Sequence, residues 1–161
     1  MKKLFVVVLI SIFALVLSAC GSRLGTVQDA ADAVLPKVNV NCDSRSTSID
    51  LNTSQNMTLT MTGDGTFPGN CTHFCLAVPD GASQLEIGIS NFATDLDLYV
   101  AATSLDKLMD ESTDASEFTS NVTGLDPENV LIDDPLSGAW YAQICSYEGV
   151  DSDFTFTTGV K

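Results

Sequence analysis

Thr94-Asp95-Leu96-Asp97-Leu98-Tyr99-Val100 decides how this chain is built. Leu96, Leu98 and Val100 alternate with Asp97, Tyr99 and Ala101, the period of two that places successive side chains on opposite faces of a strand. The same alternation recurs on both sides. Met57, Leu59 and Met61 alternate with threonines; Phe74, Leu76 and Val78 with His73, Cys75 and Ala77; Leu85, Ile87 and Ile89 with Glu86, Gly88 and Ser90. Val130 and Ile132, then Trp140, Ala142 and Ile144, then Phe154 and Phe156 continue the series. Turn-forming clusters separate the runs: Gly63-Asp64-Gly65, Pro79-Asp80-Gly81, Asp133-Asp134-Pro135 and Ser137-Gly138. Apart from a weak stretch near Leu105–Asp110, no helical period appears after residue 41. The pattern predicts an all-β domain over 42–161, a β-sandwich or jelly roll of about seven to eight antiparallel strands. Thr103–Glu117 is the longest irregular segment, polar and acidic, a length of loop that tends to be functional or mobile.

The start of the chain is a different object. Lys2 and Lys3 precede an apolar run from Leu4 to Leu17 broken only by Ser11, then Ser18, Ala19 and Cys20. A basic start, an apolar stretch and small residues at its end describe a secretory signal over 1–19. Fourteen helical residues would rise roughly 21 Å, short of the ~30 Å hydrocarbon core, which favours a cleaved signal over a permanent span. Leu17-Ser18-Ala19-Cys20 resembles the lipobox of bacterial lipoproteins. That resemblance implies cleavage before Cys20, a diacylglyceryl thioether on its sulfur and acylation, commonly by palmitate, of its new amino group. Such acyl chains would hold the protein on a lipid bilayer. Gly21 after the cysteine implies the outer membrane in bacteria that have one, and the cell surface in those that do not. Residues 20–41 then read as a lipidated tether, in which Thr26 caps a short helix ended by Pro36.

Composition narrows the function. The chain has 161 residues and a net charge of −14; losing Lys2 and Lys3 with the signal leaves 5 basic against 21 acidic side chains, a net of −16. One domain of ordinary size fits that length. The charge argues against nucleic acid, which is bound by neutralising phosphates with Lys and Arg.

With Cys20 assigned to lipid, Cys42, Cys71, Cys75 and Cys145 remain, an even number that reads as two disulfides in an exported chain. Three pairings are possible. Parity puts Cys71, His73 and Cys75 on one face and Cys145 on the corresponding outward face of its strand. A Cys75–Cys145 bridge with Cys42–Cys71 is the expected arrangement, and Cys71–Cys145 satisfies the same parity.

Four pieces in order carry a family resemblance. Val78-Pro79-Asp80-Gly81-Ala82 leads into Leu85-Glu86-Ile87. Thr94 to Val100 follows, then Asp134-Pro135 to Gly138-Ala139-Trp140-Tyr141, then Asp153-Phe154-Thr155-Phe156. Together they resemble the bacterial pre-peptidase C-terminal domain, a jelly-roll accessory module of secreted proteases, over residues 72–159. Thr94 stands where that family has Gly, the four cysteines are additions, and no peptidase precedes the match. The resemblance therefore implies an accessory module without proteolytic activity.

Candidate chemistry is sparse. A serine or cysteine hydrolase needs a nucleophile, a base and an orienting group. His73 is the only imidazole, and it lies between two cysteines with no nucleophile motif beside it. Reading Cys71-Thr72-His73-Phe74-Cys75 as a zinc site conflicts with an oxidising compartment and lacks a second ligand pair. No catalytic residue is assigned. Calcium, which takes oxygen ligands, is the metal the acids favour. Asp95 and Asp97 project from one side of a strand, and Asp133 and Asp134 would join them if the loops share one end of the sandwich; some members of the resembling family bind calcium at comparable loops. The competing reading makes these acids solvated turn residues, with Asp95 bonding backbone amides. Tyr99, Tyr141 and Tyr147 share outward parity and suit a peptide or glycan ligand, or else they cover the sheet.

These residues describe a membrane-anchored, non-catalytic binding or structural lipoprotein of the bacterial envelope, with a protein or polysaccharide ligand and no required cofactor. The alternatives are a small exported hydrolase using acidic residues, or a docking subunit for an exported protease.

Overall fold

In a computed structural model, residues 36, 38–62, 66–109 and 117–161 are described. The signal peptide 1–19, Cys20 and most of the tether 20–41 lie outside the described residues. So do the Gly63-Asp64-Gly65 turn and residues 110–116 of the acidic loop. The described chain forms nine strands: β1 (Thr47–Ile49), β2 (Thr53–Leu59), β3 (Cys71–Val78), β4 (Gln84–Ser90), β5 (Leu96–Ala102), β6 (Phe118–Ser120), β7 (Glu128–Asp133), β8 (Gly138–Ser146) and β9 (Ser152–Val160). One turn of 3-10 helix, Leu105–Lys107, follows β5, capped by the Ser104 hydroxyl accepting from the Asp106 N–H.

The strands stack as two sheets, one ordered β1-β3-β8-β5-β6 and the other β2-β9-β4-β7. This is the expected all-β sandwich, with two differences. β1 and β6 are additional strands of three residues each, too short to show an alternation in sequence. β1 also runs parallel to β3, whereas the remaining ladders are antiparallel. The weak helical stretch near Leu105 amounts to the single 3-10 turn.

Alternation becomes burial directly. In β4, Leu85, Ile87 and Ile89 are buried between half-exposed neighbours, and in β5 Leu96, Leu98 and Val100 do the same from the other sheet. Phe74 of β3 crosses the gap between sheets, stacking on Phe156 of β9 at 4.7 Å and meeting Phe154 edge-on at 6.3 Å. Paired rings of this kind add about 0.5–1.5 kcal/mol beyond their buried area.

The sandwich has two distinct ends. At one, β7 runs out at Asp133, paired with Gln84 at the start of β4, and Asp134 donates its N–H to the Ser83 carbonyl. There the Trp140 indole N–H donates to the Leu136 carbonyl at 2.8 Å, closing the turn into β8, and Gly138 adopts φ +124°, a region side chains disfavour. At the other end β4 stops at Ser90, β5 begins after Asp95, and Leu96 pairs with Ser146 where β8 stops.

The disulfides are Cys42–Cys75 and Cys71–Cys145, which corrects the expected Cys75–Cys145 and Cys42–Cys71 pairing. Register supplies the reason. Cys71 stands directly opposite Cys145, while Cys75 stands opposite Tyr141. Tyr141 and Cys145 are four positions apart along the strand, roughly 13 Å at ~3.3 Å per residue, well beyond the reach of one bridge.

Candidate functional site

The outer face of the five-stranded sheet carries most of the residues singled out in the sequence. Register arranges them in rows across β3, β8 and β5: Cys71, Cys145 and Asp97; then His73, Gln143 and Tyr99; then Cys75, Tyr141 and Ala101.

The third row is covered. Leu105 and Leu108 bury themselves on Cys75, Ala101 and Tyr141, with Val40 and Cys42 packed alongside. The Cys42–Cys75 bridge, Cα atoms 5.9 Å apart, pins the strap that precedes β1 to this surface. The Tyr141 hydroxyl accepts from the Asp43 N–H at 3.2 Å, and the Arg45 guanidinium contacts both Asp43 and Asp106 at 2.7 Å. That guanidinium holds the Asp43 carboxyl far below the usual carboxylate range. Tyr141 is therefore buried under the strap and offers no ring to a ligand.

The middle row is polar, bonded within itself through His73 and Gln143 and to the first row through Tyr99. Burial first, then the Arg45 charge, lowers the His73 pKa, so the ring is neutral and its Nε2 accepts from the Gln143 amide at 3.1 Å. Both flanking cysteines are in disulfides, which removes the thiolates a zinc site would require. Tyr99 donates its hydroxyl to Asp97 Oδ2 at 3.2 Å. Burial raises the Asp97 pKa, an effect the Tyr99 hydrogen bond opposes and the Asp95 charge reinforces. Burial and the Asp97 charge push Tyr99 up to about 12. Tyr147 lies past the end of β8 and is 78% exposed. The three tyrosines accordingly occupy three settings and form no shared aromatic face.

The four acids proposed for calcium divide between the two ends. Asp95 and Asp97 flank the start of β5, whereas Asp133 closes β7 beside Gln84, whose amide donates to Asp133 Oδ1 at 3.0 Å. The seven-residue strand β4 separates the ends by roughly 20 Å. The single four-carboxylate site is thereby corrected, because the loops do not share an end. Among the described residues, no group of three or more His, Cys, Asp or Glu is placed to hold a metal ion.

Asp95 has a structural task. Its Oδ1 accepts from the Gly124 N–H at 3.0 Å, and its carbonyl accepts from the Tyr147 N–H at 3.0 Å. One residue thus ties the β6–β7 loop and the β8–β9 turn together at the end opposite Asp133. A second carboxylate at that end, on the first residue of β7, escaped the sequence reading. Glu128 is 1% exposed, its Oε1 accepts from the Val122 N–H at 2.5 Å, and its Oε2 is buried without a partner. Burial, chiefly, raises its pKa. The signal was present: Glu128 has the parity of Val130 and Ile132, which face inward along β7.

The architecture matches solved structures. The chain is similar to the pre-peptidase C-terminal domain of a collagenase from Bacillus anthracis, with a TM-score of 0.51 and 15% identity over 73% of this chain and 98% of that one. It is also similar to PliG of Aeromonas hydrophila, a periplasmic lysozyme inhibitor of g-type lysozyme, with a TM-score of 0.48 and 14% identity over the same shares. No protein-family model and no curated protein sequence matches the chain. The likeness to the collagenase domain is one of fold, and it bears out the sandwich that the alternation predicts and the family resemblance implies.

Proposed function

We propose that this protein is a lipid-anchored, non-catalytic binding module of the bacterial envelope, held to the bilayer through Cys20 and recognising a protein or polysaccharide outside the cytoplasm. The observation that carries the reading is how the reactive side chains are occupied. His73 is neutral against Gln143, and Cys42, Cys71, Cys75 and Cys145 are in disulfides, while large apolar side chains stand exposed on the loops that Asp95 joins. Disulfides of this kind belong to exported proteins. The lipobox-like Leu17-Ser18-Ala19-Cys20 supports the anchor.

The test is affinity capture from envelope extract by the purified full-length protein, with the captured component identified and its dissociation constant measured. Saturable binding of one protein or polysaccharide is expected. Hydrolysis of peptide or glycan that disappears on replacing a single acidic residue would overturn the reading in favour of an enzyme.

A further inference from the structure

Among the described residues, six large apolar side chains are exposed to solvent: Val122, Leu125, Leu131, Leu136, Tyr147 and Val150. Four of them sit on the β6–β7 loop and the β8–β9 turn, the two segments that Asp95 joins through Gly124 and Tyr147. Leu125, at 61% exposure, adjoins Gly124, and Tyr147 is itself one of the bonded residues, so both stand beside Asp95. The β6–β7 loop is further fixed by the Val122 N–H on Glu128. Exposed apolar groups on loops anchored this way form a defined surface, which is what large solvent-facing apolar patches on soluble domains mark.

The charge around them has one sign. Leu125 is followed by Asp126, Tyr147 by Glu148 and Val150 by Asp151, all exposed. The basic side chains of the described body lie elsewhere. Arg45 is held by Asp43 and Asp106 on the strap, and Lys107 pairs with Glu117 past the far end of β5. Lys161 bonds Gln84 at the Asp133 end.

We infer that the Asp95 end of the sandwich docks a cationic segment of another exported protein, its Lys or Arg side chains meeting Asp126, Glu148 and Asp151 while an apolar side chain seats on Leu125 and Tyr147. Aromatic and aliphatic anchors ringed by charge are the anatomy of a protein-binding patch, the centre supplying affinity and the rim selecting the partner. Anionic lipid headgroups and nucleic acids are repelled by the same rim. The inference rests on the binding-module reading and names the partner's chemistry.

The test uses full-length lipidated protein in detergent micelles and a fluorescent heptapeptide alternating lysine with leucine, beside its glutamate–leucine counterpart. The lysine peptide is expected to bind and the glutamate peptide not, with affinity falling as salt rises. Leu125→Ser with Tyr147→Ser should weaken binding about tenfold or more, against less than about twofold for Leu131→Ser with Leu136→Ser. Asp126→Asn with Glu148→Gln should weaken it more than Asp80→Asn with Asp134→Asn, which removes the same charge from exposed positions elsewhere. Equal losses in the paired variants would mean diffuse attraction to an acidic body and would overturn the inference. So would capture of the envelope component, undiminished, by the Leu125/Tyr147 variant, an outcome that leaves the binding-module reading standing. If even the wild-type protein captures nothing from the envelope, that underlying reading fails instead. All the substituted positions are exposed, so unchanged melting curves serve as the folding control.

Discussion

Cys71 and Cys145 face each other directly across β3 and β8 and are joined, which leaves Cys75 for Cys42. The two bonds therefore act on different parts of the molecule. Cys71–Cys145 closes the sheet at the Asp95 end. Cys42–Cys75 fastens the strap, and with it the chain that leads back toward Cys20, onto the outer face. Tension on the chain that precedes Cys42 would reach the body at Cys75 rather than through the edge strand β1.

Replacing Cys42 and Cys75 together by Ala should cost about 4 kcal/mol, the chain-entropy value for a closed loop spanning a sequence separation of 33. Urea unfolding of oxidised protein measures it. Peptide mapping without reductant should return Cys42 linked to Cys75 and Cys71 linked to Cys145. A Cys75–Cys145 peptide would contradict the register of β3 on β8.

Glu128 predicts a pH effect of definite sign. Its folded-state pKa is raised above the ordinary value of 4.5. The folded state therefore binds its proton more tightly than the unfolded chain does. Its contribution is most favourable below the unfolded pKa and is lost as pH rises through the folded one. Glu128→Gln keeps an acceptor for the Val122 N–H while removing the buried charge. It should stabilise the protein by about 1 kcal/mol at pH 7.5, with the advantage shrinking toward pH 4. Urea unfolding of both proteins at the two pH values checks this. A constant difference would place the Glu128 carboxylate in water.

How much of this was legible in advance divides along physical lines. Alternation in β3, β4, β5, β7, β8 and β9 was readable because each strand buries one face, and a one-residue slip would expose that whole face. The same parity placed Cys71, Cys75 and Cys145 on the outer face. Parity says nothing about position along a strand, so the pairing, which depends on register, was not readable. Thr47-Ser48-Ile49 and Phe118-Thr119-Ser120 carry too few residues for a period. Tyr141 has outward parity and is nonetheless buried, because its cover comes from the irregular segments around Val40–Cys42 and Leu105–Met109. Likewise, the division of Asp95 and Asp97 from Asp133 and Asp134 follows from which strand ends lie together, a property of topology.

Removing the Tyr141 hydroxyl tests the strap from another direction. Tyr141→Phe keeps the buried ring and deprives the Asp43 N–H of its acceptor, a loss of about 1 kcal/mol. Leu105→Ala opens a cavity under the same cover and should cost about 2–5 kcal/mol. The Tyr141 and Leu105 variants should share one consequence, faster amide hydrogen exchange in residues 40–46, while the β4–β7 ladder keeps its protection. Exchange unchanged in 40–46 would show that the disulfide alone holds the strap.

His73 supplies the opposite pH sign to Glu128. Its folded-state pKa is lowered below 6.5, chiefly by burial, so protonation is harder in the folded protein than in the unfolded chain. For a base depressed in this way, stability is full above the unfolded pKa and falls as pH drops through 6.5 toward the folded value. Between pH 7.5 and pH 5 the wild-type protein should lose stability through this group. His73→Gln, which does not titrate, should remove that slope at a cost of about 1 kcal/mol at pH 7.5 from the altered contact with Gln143. The difference in unfolding free energy between the two proteins, followed across this range, isolates His73 from the carboxylates common to both. An NMR titration of the single imidazole gives the same answer independently. A midpoint at or above 6.5 would mean that the ring is solvated and that Gln143 does not donate to it.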